Sequence, residues 1–563
     1  MMISNIDYSP APGSVIRILK NVPLDNTYRN LIDWANHKRN GFNSEQAFQE
    51  NWMVGKTKYA VTDANYQRID RYLAVKINAE DLLDCNYLMY KNANFSDKWF
   101  YAFITKVEYR GEHVSYVYFE IDVHQTFFME INWKPSYIER EHVSDDSIGK
   151  NLVPEDLDTG EIIYKTEWKD ETLSELSCIV CTTAKGEQNV VGGVYNGIYS
   201  GAKMYCFPIV ANEAKGLNEF LAELDAAGKG GAVSNIFTIP SIFVKYDQTT
   251  HEVSTGYTGK DVMLEVPIDL QTIAGYTPKN NKLFQYPYNM LKVTNMNGTN
   301  ALYKFEYFPG VSKDKKKANF QISCALSTVP TLFCVPQEYK LGDVSTAFNY
   351  DMYLPLTNYP NINWTYGTFA NWYAQNAAAY QYAQLKGGLE VVGGTAQAGA
   401  GLIGGIVKAV ATKNPGAVFS DVGAGVSTAL GGVDTIITNM IDKYQHSIEP
   451  NQSKGGSGGS GANVAAGIQN FFFYQMTITK EYAERIDNFF SYYGYKVNRF
   501  DTPNTKSRYF WNYIKTIDAN LEISIPQPYF DKLKEIFNNG TTVWHMPYIS
   551  QYDLINRIRE EGE

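Results

Sequence analysis

One stretch in the middle of the chain departs in composition from everything around it. Residues 387–434 contain 13 glycines, five charged residues and a single aromatic residue, Phe419, in a chain that is 14% aromatic. Residues 391–407 carry no charge, and neither do residues 422–433. Residues 453–461 then have the composition of a flexible linker, natural or engineered, and the aromatic style resumes at Asn470. An Ala/Gly/Val-rich segment therefore interrupts an otherwise uniform chain.

This segment has two interpretations. A helix of 17 uncharged residues is about 25 Å long, which is marginal for a bilayer core of about 30 Å. Gly401 and Gly405 form a GxxxG pattern, which permits close helix packing in lipid. The alternative is a buried, glycine-rich helical hairpin or a mobile loop. The missing aromatic residues and the adjacent linker favour a segment that enters a membrane.

The remainder is predicted to be β-rich, because its 42 tyrosines and other aromatic residues suit pleated, half-buried surfaces. Residues 98–123 predict a hairpin that turns at residues 110–112. In its second strand Val117, Phe119, Ile121 and Val123 share one face, and the opposite face carries Tyr116, Tyr118, Glu120 and Asp122. A second hairpin is predicted over residues 289–308, with its turn at Asn297-Gly298 and with Tyr303, Phe305 and Tyr307 on one face.

Helices are predicted at three places. Residues 213–226 form one, although Gly216 weakens its first turn. Residues 480–493 form another, which Gly494 ends. The third follows Pro526 and Pro528 and stops at Gly540.

Size and charge bound the class of protein. A chain of 563 residues predicts three to four domains at about 150 residues each. The net charge of −10 disfavours a protein that binds nucleic acid through a globally basic surface. Residues 1–5 lack the features of a signal peptide, and six cysteines are few, so we expect reduced thiols and assembly in a cytosol.

Motifs of enzymes and metal sites are weak. Gly399, Gly401 and Gly404 match a dinucleotide fingerprint, with Asp421 further on, but no buried strand precedes them. Cys178 and Cys181 lie in a predicted strand, where two buried thiols are expected rather than a metal or redox site.

The densest polar cluster is residues 139–146. It contains Glu139, Arg140, Glu141, His142, Asp145 and Asp146. A metal or general-base role is possible for such a cluster, but a solvated turn or a salt-bridge patch between subunits is the expected structure. No catalytic residue, metal ligand or cofactor is predicted anywhere.

Six strings of residues resemble a known family. They are residues 86–90, 94–104, 116–123, 135–142, 493–498 and 508–514. Together they are similar to the distal tail knob proteins of phi29-like, Picovirinae-type short-tailed bacteriophages, over residues 10–515.

The resemblance implies a homohexameric tube at the tail tip, with a fold mainly β with a few helices and similar to tail-tube and baseplate-hub folds. It implies partners in other tail proteins, the host cytoplasmic membrane and phage DNA that passes through the lumen without specific binding. One long hydrophobic loop per subunit plugs the lumen and then enters the membrane. In this chain the loop corresponds to residues 387–467, and its membrane-active positions are Val391, Val392, Leu402, Ile403, Ile406, Val407, Val410, Val418, Phe419, Val422, Val426 and Leu430.

The predicted organisation has five segments. Residues 1–150, 151–280 and 281–386 are β-rich domains, residues 387–467 are the loop, and residues 468–563 are an α+β segment that completes the tube. The expected protein is a structural component of the virion that opens a channel for DNA ejection. The alternative is a receptor-binding tail protein whose loop only plugs the tube. A wall-degrading enzyme and a nucleotide-binding enzyme are the weaker classes.

Overall fold

The computed structural model describes most of the chain outside the Gly/Ala-rich segment. The described residues are 8–62, 64–67, 70–91, 95, 98–185, 188–189, 192–195, 198–210, 213–227, 229, 232–255, 261–295, 300–308, 316–328, 330–337, 339, 354–356, 470–549 and 555–559. They form two compact units. Unit 1 comprises Met1–Asp158, Lys279–Lys282 and Glu484–Glu563, and unit 2 comprises Thr159–Pro278 and Leu283–Ala483.

Unit 1 is built on an antiparallel sheet of seven strands. In spatial order they are Thr57–Val61, Val15–Lys20, Cys85–Lys91, Trp99–Gly111, Val114–Ile121, Tyr72–Val75 and Asn65–Gln67. The large aromatic side chains Tyr87, Tyr90 and Phe100 are fully buried in its core. Their neighbours Leu88, Met89 and Tyr101 are buried as well, so the inner strands Cys85–Lys91 and Trp99–Gly111 are apolar on both faces in this region.

The predicted hairpin of residues 98–123 is confirmed as the pair Trp99–Gly111 and Val114–Ile121. Val117 is fully buried and Glu120 is exposed, as the alternation predicts. The strand nevertheless ends at Ile121. Asp122, predicted on the polar face, is buried because its carboxylate accepts hydrogen bonds from the Gln125 N–H (3.0 Å) and the Tyr87 hydroxyl (2.8 Å). Asp122 is thereby the N-cap of the short helix Val123–Phe127 instead of a further residue of the strand.

A second sheet of unit 1 has five strands. In spatial order they are Asn30–Ile32, Thr541–Trp544, Trp511–Asp518, Ser136–Glu141 and Tyr495–Asp501. A two-stranded ribbon pairs Leu521–Glu522 with Asn132–Trp133. Strands from residues 30–141 and from residues 495–544 thus share one sheet.

Unit 2 contains three four-stranded sheets and two short ribbons among its described residues. The first sheet orders Ile162–Trp168, Phe472–Ile478, Asn289–Thr294 and Asn300–Tyr303, and the second orders Glu213–Ala214, Lys203–Val210, Leu176–Thr182 and Val233–Pro240. The third orders Val262–Pro267, Lys317–Ala325, Thr331–Pro336 and Leu354–Leu356. The ribbons pair Ala184–Lys185 with Gln188–Asn189 and Gly193–Tyr195 with Ile198–Ser200.

Five α-helices occur in the described part of the chain. They are α1 (Glu45–Val54), α2 (Val123–Phe127), α3 (Leu217–Ala226), α4 (Lys480–Tyr493) and α5 (Gln527–Asn539). Six 3₁₀ turns accompany them: Glu80–Leu82, Phe128–Glu130, Glu171–Ser174, Ser241–Phe243, Asn281–Phe284 and Phe305–Tyr307. The prediction of a chain that is mainly β with a few helices is confirmed.

The predicted helices α4 and α5 are confirmed, and the predicted helix over residues 213–226 is shortened. Gly494 and Gly540, the predicted stops, both have a positive φ, of 64° and 86°. Such a backbone conformation ends a helix and favours glycine. Gly216 also has a positive φ of 78°, so helix α3 begins only at Leu217, and residues 213–214 pair as a strand instead.

The second predicted hairpin is confirmed only in its first part. Asn289–Thr294 pairs with Asn300–Tyr303, whereas Asn297 and Gly298 lie outside the described residues. The predicted alternation over Tyr303, Phe305 and Tyr307 is wrong. Residues 305–307 form a 3₁₀ turn, because Phe305 turns into the core and is fully buried there.

Candidate functional site

All twelve predicted membrane-active residues, from Val391 to Leu430, lie outside the described residues. Their role therefore stays a prediction. No helix among the residues that the structure does describe is long and apolar enough to cross a membrane. What the structure describes are the strands of unit 2 that border residues 357–469 on either side.

The strand that precedes this interval is held at the edge of a sheet. Leu354–Leu356 pairs antiparallel with Thr331–Pro336, with Leu332 opposite Leu356 and Cys334 opposite Leu354. Both residues of the partner strand are buried, at 1% and 0% exposure. The strand that leads into residues 357–469 is therefore paired with a strand whose residues Leu332 and Cys334 belong to the core.

The strand that follows the interval is held more firmly. Phe472–Ile478 is an inner strand, paired on both sides with Ile162–Trp168 and Asn289–Thr294. Immediately before it, the buried Asn470 amide donates hydrogen bonds to the carbonyl oxygen of Asp170 (2.8 Å) and to the Ser174 hydroxyl (3.3 Å). The returning chain is thus fixed by backbone pairing and by a side chain.

An aromatic cluster links the two sheets that carry these strands. The ring centroids of Phe320 and Phe473 are 5.0 Å apart, and those of Phe320 and Tyr303 are 5.3 Å apart. Tyr303 also contacts Tyr339, at 5.4 Å. Edge-to-face ring pairs of this kind add about 0.5–1.5 kcal/mol each beyond simple burial. Within unit 2, the two sheets that carry the bordering strands therefore share one packed aromatic cluster.

Unit 1 holds the polar cluster of residues 139–146, which is not the solvated turn that the sequence predicts. Ser136–Glu141 is a strand paired on both sides. Glu141 and His142 are 0% and 1% exposed, and Asp146 is 9% exposed. The expectation of a surface cluster is wrong for these three residues, because residues distant in sequence supply partners that replace water, whereas Asp145 is exposed as expected.

At the centre of this buried network lies Glu155. Its carboxylate accepts a hydrogen bond from the Lys282 ammonium at 2.7 Å and another from the backbone N–H of Lys496 at 2.9 Å, and it forms an ion pair with Arg140. Lys282 also donates to the carbonyl oxygen of Val153, at 2.9 Å. Burial lowers the pKa of Lys282, and the charge of Glu155 opposes that shift.

A second carboxylate, Asp487 of helix α4, fixes the chain segment 279–282. It accepts hydrogen bonds from the backbone N–H groups of Lys279 (2.8 Å) and Asn280 (3.0 Å). Asp146 likewise accepts from the backbone N–H of Asn281, at 2.8 Å, and from the Tyr495 hydroxyl. Three buried acids therefore tie together the three chain segments that make up unit 1.

Sequence reasoning missed Lys282, Glu155 and Asp487. Glu155 carries no local signal, because it lies in an irregular stretch whose composition suits an exposed loop. Lys282 lies in the 3₁₀ turn Asn281–Phe284, directly after two asparagines that suit an exposed position. Asp487 does carry a local signal, since it adjoins Ile486 on the apolar side of helix α4, where an unpaired charge would be costly. An acid in that position indicates a buried partner.

In the described ranges, no three His, Cys, Asp or Glu side chains are placed to hold a metal ion. Cys178 and Cys181 are buried free thiols, as predicted, and burial raises the pKa of both. A thiol with a raised pKa is a poor nucleophile. The network is suited to holding the polypeptide in place.

His142 makes the stability of this network depend on pH. Its Nδ1 accepts a hydrogen bond from the backbone N–H of Tyr513 (2.7 Å), so its Nε2–H donates to the carbonyl oxygen of Ser491 (3.1 Å). Burial, reinforced by the charge of Arg508, lowers the pKa of His142 to about 3. The folded state therefore binds fewer protons than the unfolded state between about pH 3 and 6.5, and stability is lost as the pH falls through that range.

We expect acidification from pH 7 to pH 5 to remove about 2 kcal/mol of stability through His142. In His142→Gln, the loss of stability between pH 7 and pH 5 should be smaller than in the parent by about 2 kcal/mol. The variant is less stable than the parent at pH 7. The measurement is urea unfolding at both pH values. Burial raises the pKa of Asp122 to about 7, which acts in the opposite direction, but that contribution cancels in the comparison.

His113→Asn is the matched control, because the His113 side chain is 72% exposed and its positive φ of 62° suits asparagine. This control should show the same drop as the parent. An equal drop in His142→Gln and in the parent would contradict the prediction.

Comparison with known proteins supports the β architecture and identifies its class. Residues 12–132, which contain the seven-stranded sheet, match the family model of the caudoviral major tail protein N-terminus. Residues 249–557, more than half of the chain, match the model of the C-terminal domain of tail knob protein gp9 of Bacillus phage phi29. Fold and matches together define a structural protein of a bacteriophage tail.

The chain belongs to the phi29 tail knob protein gp9 family. It is 26% identical to tail knob protein gp9 of Bacillus phage PZA and 25% identical to that of phage phi29, each over 98% of this chain and 100% of the relative. The solved structure of the bacteriophage C1 tail knob protein gp12 matches with a TM-score of 0.62 at 14% identity, over 97% of this chain and 100% of that one. At that identity the likeness shows a shared fold.

Proposed function

We propose that this tail protein forms the distal tube of the tail as a homohexamer and that residues 387–467 act as its membrane-active loop. In the closed state, six loops fill the lumen and bury their apolar side chains against one another. On release they enter the host membrane and line a channel through which DNA is ejected. No bond chemistry is part of this function.

One observation carries the proposal. A long segment that is poor in aromatic residues and charges lies between two strands whose sheets share a packed aromatic cluster. Burial of its apolar surface contributes roughly 25 cal/mol per Å² in a plugged lumen and in a lipid core alike. The two states can therefore be close in free energy, and a small trigger can shift the population from one to the other.

The test is release of dye from liposomes between mildly acidic and neutral pH. We expect the full chain to cause release and a variant in which a Gly/Ser linker replaces residues 388–467 to cause none. Electron microscopy of both proteins establishes that the tube still assembles. Absence of release by the assembled full chain at every pH would contradict membrane insertion and favour the alternative, a receptor-binding tube that the loop only plugs.

Two further variants test whether dye release depends on the aliphatic side chains of the loop or only on the presence of the loop. Replacing Leu402, Ile403 and Ile406 by serine should abolish most of the release, because each buried aliphatic side chain contributes about 1.5–3 kcal/mol. The control replaces Ala396, Ala398 and Ala400 by serine, which adds the same number of hydroxyl groups but removes little apolar surface. Equal loss in both triple variants would contradict a role for the aliphatic side chains.

A further inference from the structure

The five-stranded sheet of unit 1 turns large apolar side chains toward solvent. An antiparallel sheet that covers a core on one side commonly presents polar side chains to water on the other. In strand Trp511–Asp518, Ile514 is fully buried, whereas Ile517 is 58% exposed. On the next two strands of the sheet, Tyr137 and Phe500 lie directly opposite each other and are 40% and 70% exposed. The solvent side of this sheet is therefore apolar where a polar surface is usual.

The exposed apolar side chains continue onto the end of helix α4. The Tyr493 ring, 42% exposed, packs edge-on against Tyr513, with 5.1 Å between the ring centroids. Tyr513 shares one side of its strand with Lys515 and Ile517, because side chains two residues apart point to the same face. The Phe489 ring lies 5.1 Å from that of Tyr493. We call this set the outer apolar face: Tyr137, Phe489, Tyr493, Phe500, Tyr513 and Ile517.

The outer apolar face reaches an edge of the sheet. Phe500 belongs to Tyr495–Asp501, the last strand in the spatial order of this sheet, and residues 498–501 are exposed. The outward backbone groups of an edge strand are able to pair with a strand of another chain. A lipid surface offers no hydrogen bonds to such groups. An apolar patch that borders a sheet edge therefore favours a polypeptide as the partner.

The charges along the outer apolar face balance one another. Three ion pairs lie there: Lys515 with Glu139 and Lys534 with Asp518, both at 2.8 Å, and Arg499 with Asp501 at 3.7 Å. Arg499 also pairs with the buried Glu141. Nucleic acid and anionic lipid bind where positive charge predominates, and here neither sign does. The whole chain has a net charge of −10, so two copies repel each other except where surfaces of balanced charge meet.

We propose that the outer apolar face is a contact surface between copies of this chain. This inference rests on the proposed homohexamer and identifies the side of unit 1 through which one copy contacts its neighbour. The aromatic and aliphatic side chains form the centre of the contact, and the three ion pairs form its rim. An apolar centre with a polar rim is the usual anatomy of a protein–protein interface.

The test compares the full chain with the double variant Phe500→Ser/Ile517→Ser by sedimentation over a range of concentrations. We expect the parent to assemble and the variant to need at least about a hundredfold higher concentration, because two large apolar side chains leave the interface. The matched control is Leu83→Ser, since Leu83 is 78% exposed and lies outside the outer apolar face. This control should assemble as the parent does, and circular dichroism establishes that all three proteins are folded.

Each outcome is decisive. Assembly of the double variant at the parent's concentration, or an equal loss in Leu83→Ser, overturns this interface and leaves the homohexamer standing. A parent that stays monomeric at every concentration contradicts the homohexamer itself, and the interface with it.

A second measurement uses the unmodified chain and so does not depend on the folding of a variant. It is hydroxyl-radical labelling of the assembled protein and of protein diluted until it dissociates. Phe500 and Tyr137 should be labelled several-fold less in the assembled protein, because their exposed rings are then covered. Equal labelling in the two states overturns the proposal.

Discussion

Replacing Lys282 by methionine should lower the free energy of unfolding by about 3 kcal/mol or more. The Lys282 ammonium lies 2.7 Å from a Glu155 carboxylate oxygen, and their side chains are 5% and 1% exposed. Methionine fills a similar volume but leaves Glu155 with one cationic partner fewer in an environment that water does not reach. The measurement is the urea midpoint and slope at pH 7.

The matched control for this prediction is Lys496→Met. Lys496 pairs with Asp156 at 3.3 Å, but the Asp156 side chain is 93% exposed, so the pair contributes well under about 1 kcal/mol. Its backbone N–H still donates to Glu155 in the variant. A second test adds Glu155→Gln to Lys282→Met, which should recover part of the loss because the buried charge is removed. Equal costs for the two lysine variants would show that the Glu155 network does not determine stability.

Gly494→Ala should be about as damaging, with a loss of at least about 3 kcal/mol, because two effects combine. Gly494 has a positive φ of 64°, which costs a residue with a Cβ about 1 kcal/mol. That Cβ would also lie 2.2 Å from the carbonyl oxygen of Glu141 and 2.6 Å from the backbone nitrogen of His142. Neither atom can move without displacing the strand that carries the buried network.

Gly41→Ala isolates the first of these effects. Gly41 has a φ of 79°, and a Cβ at this position would meet no atom within 4 Å. We expect a cost of about 1 kcal/mol in thermal or urea unfolding. Equal losses of stability in Gly494→Ala and Gly41→Ala would show that the close packing of Gly494 against residues 141–142 does not contribute to the cost of the substitution.

Both predictions concern the points at which the chain returns to unit 1. Lys282 belongs to the short segment 279–282, and Gly494 ends the helix that follows the Gly/Ala-rich segment and the strand Phe472–Ile478. Buried ion pairs contribute little net stability compared with a well-packed apolar core, but removing one partner is costly. A network of this kind specifies where each returning segment lies.

The sequence was sufficient where local pattern decides the structure. The hairpin Trp99–Gly111 and Val114–Ile121 follows from alternation on either side of a turn, and helices α4 and α5 follow from apolar spacing that ends at glycine. It was insufficient where one residue serves two elements. Asp122 continues the alternation of a strand but caps a helix, and Phe305 continues another but turns into the core. In both cases a hydrogen bond or a packing contact outweighs the local preference.

By itself, the sequence determined the β-rich class and the limits of the segment at residues 387–434, because composition and periodicity are local properties. The family resemblance also came from the sequence, through strings such as residues 94–104 and 116–123. Only the tertiary structure decided that Glu141 and Asp146 are buried. Their partners are remote: 358 residues separate Arg499 from Glu141, and 349 separate Tyr495 from Asp146. A charged side chain favours water until a partner replaces it, and nothing near it in sequence reveals that the fold supplies one.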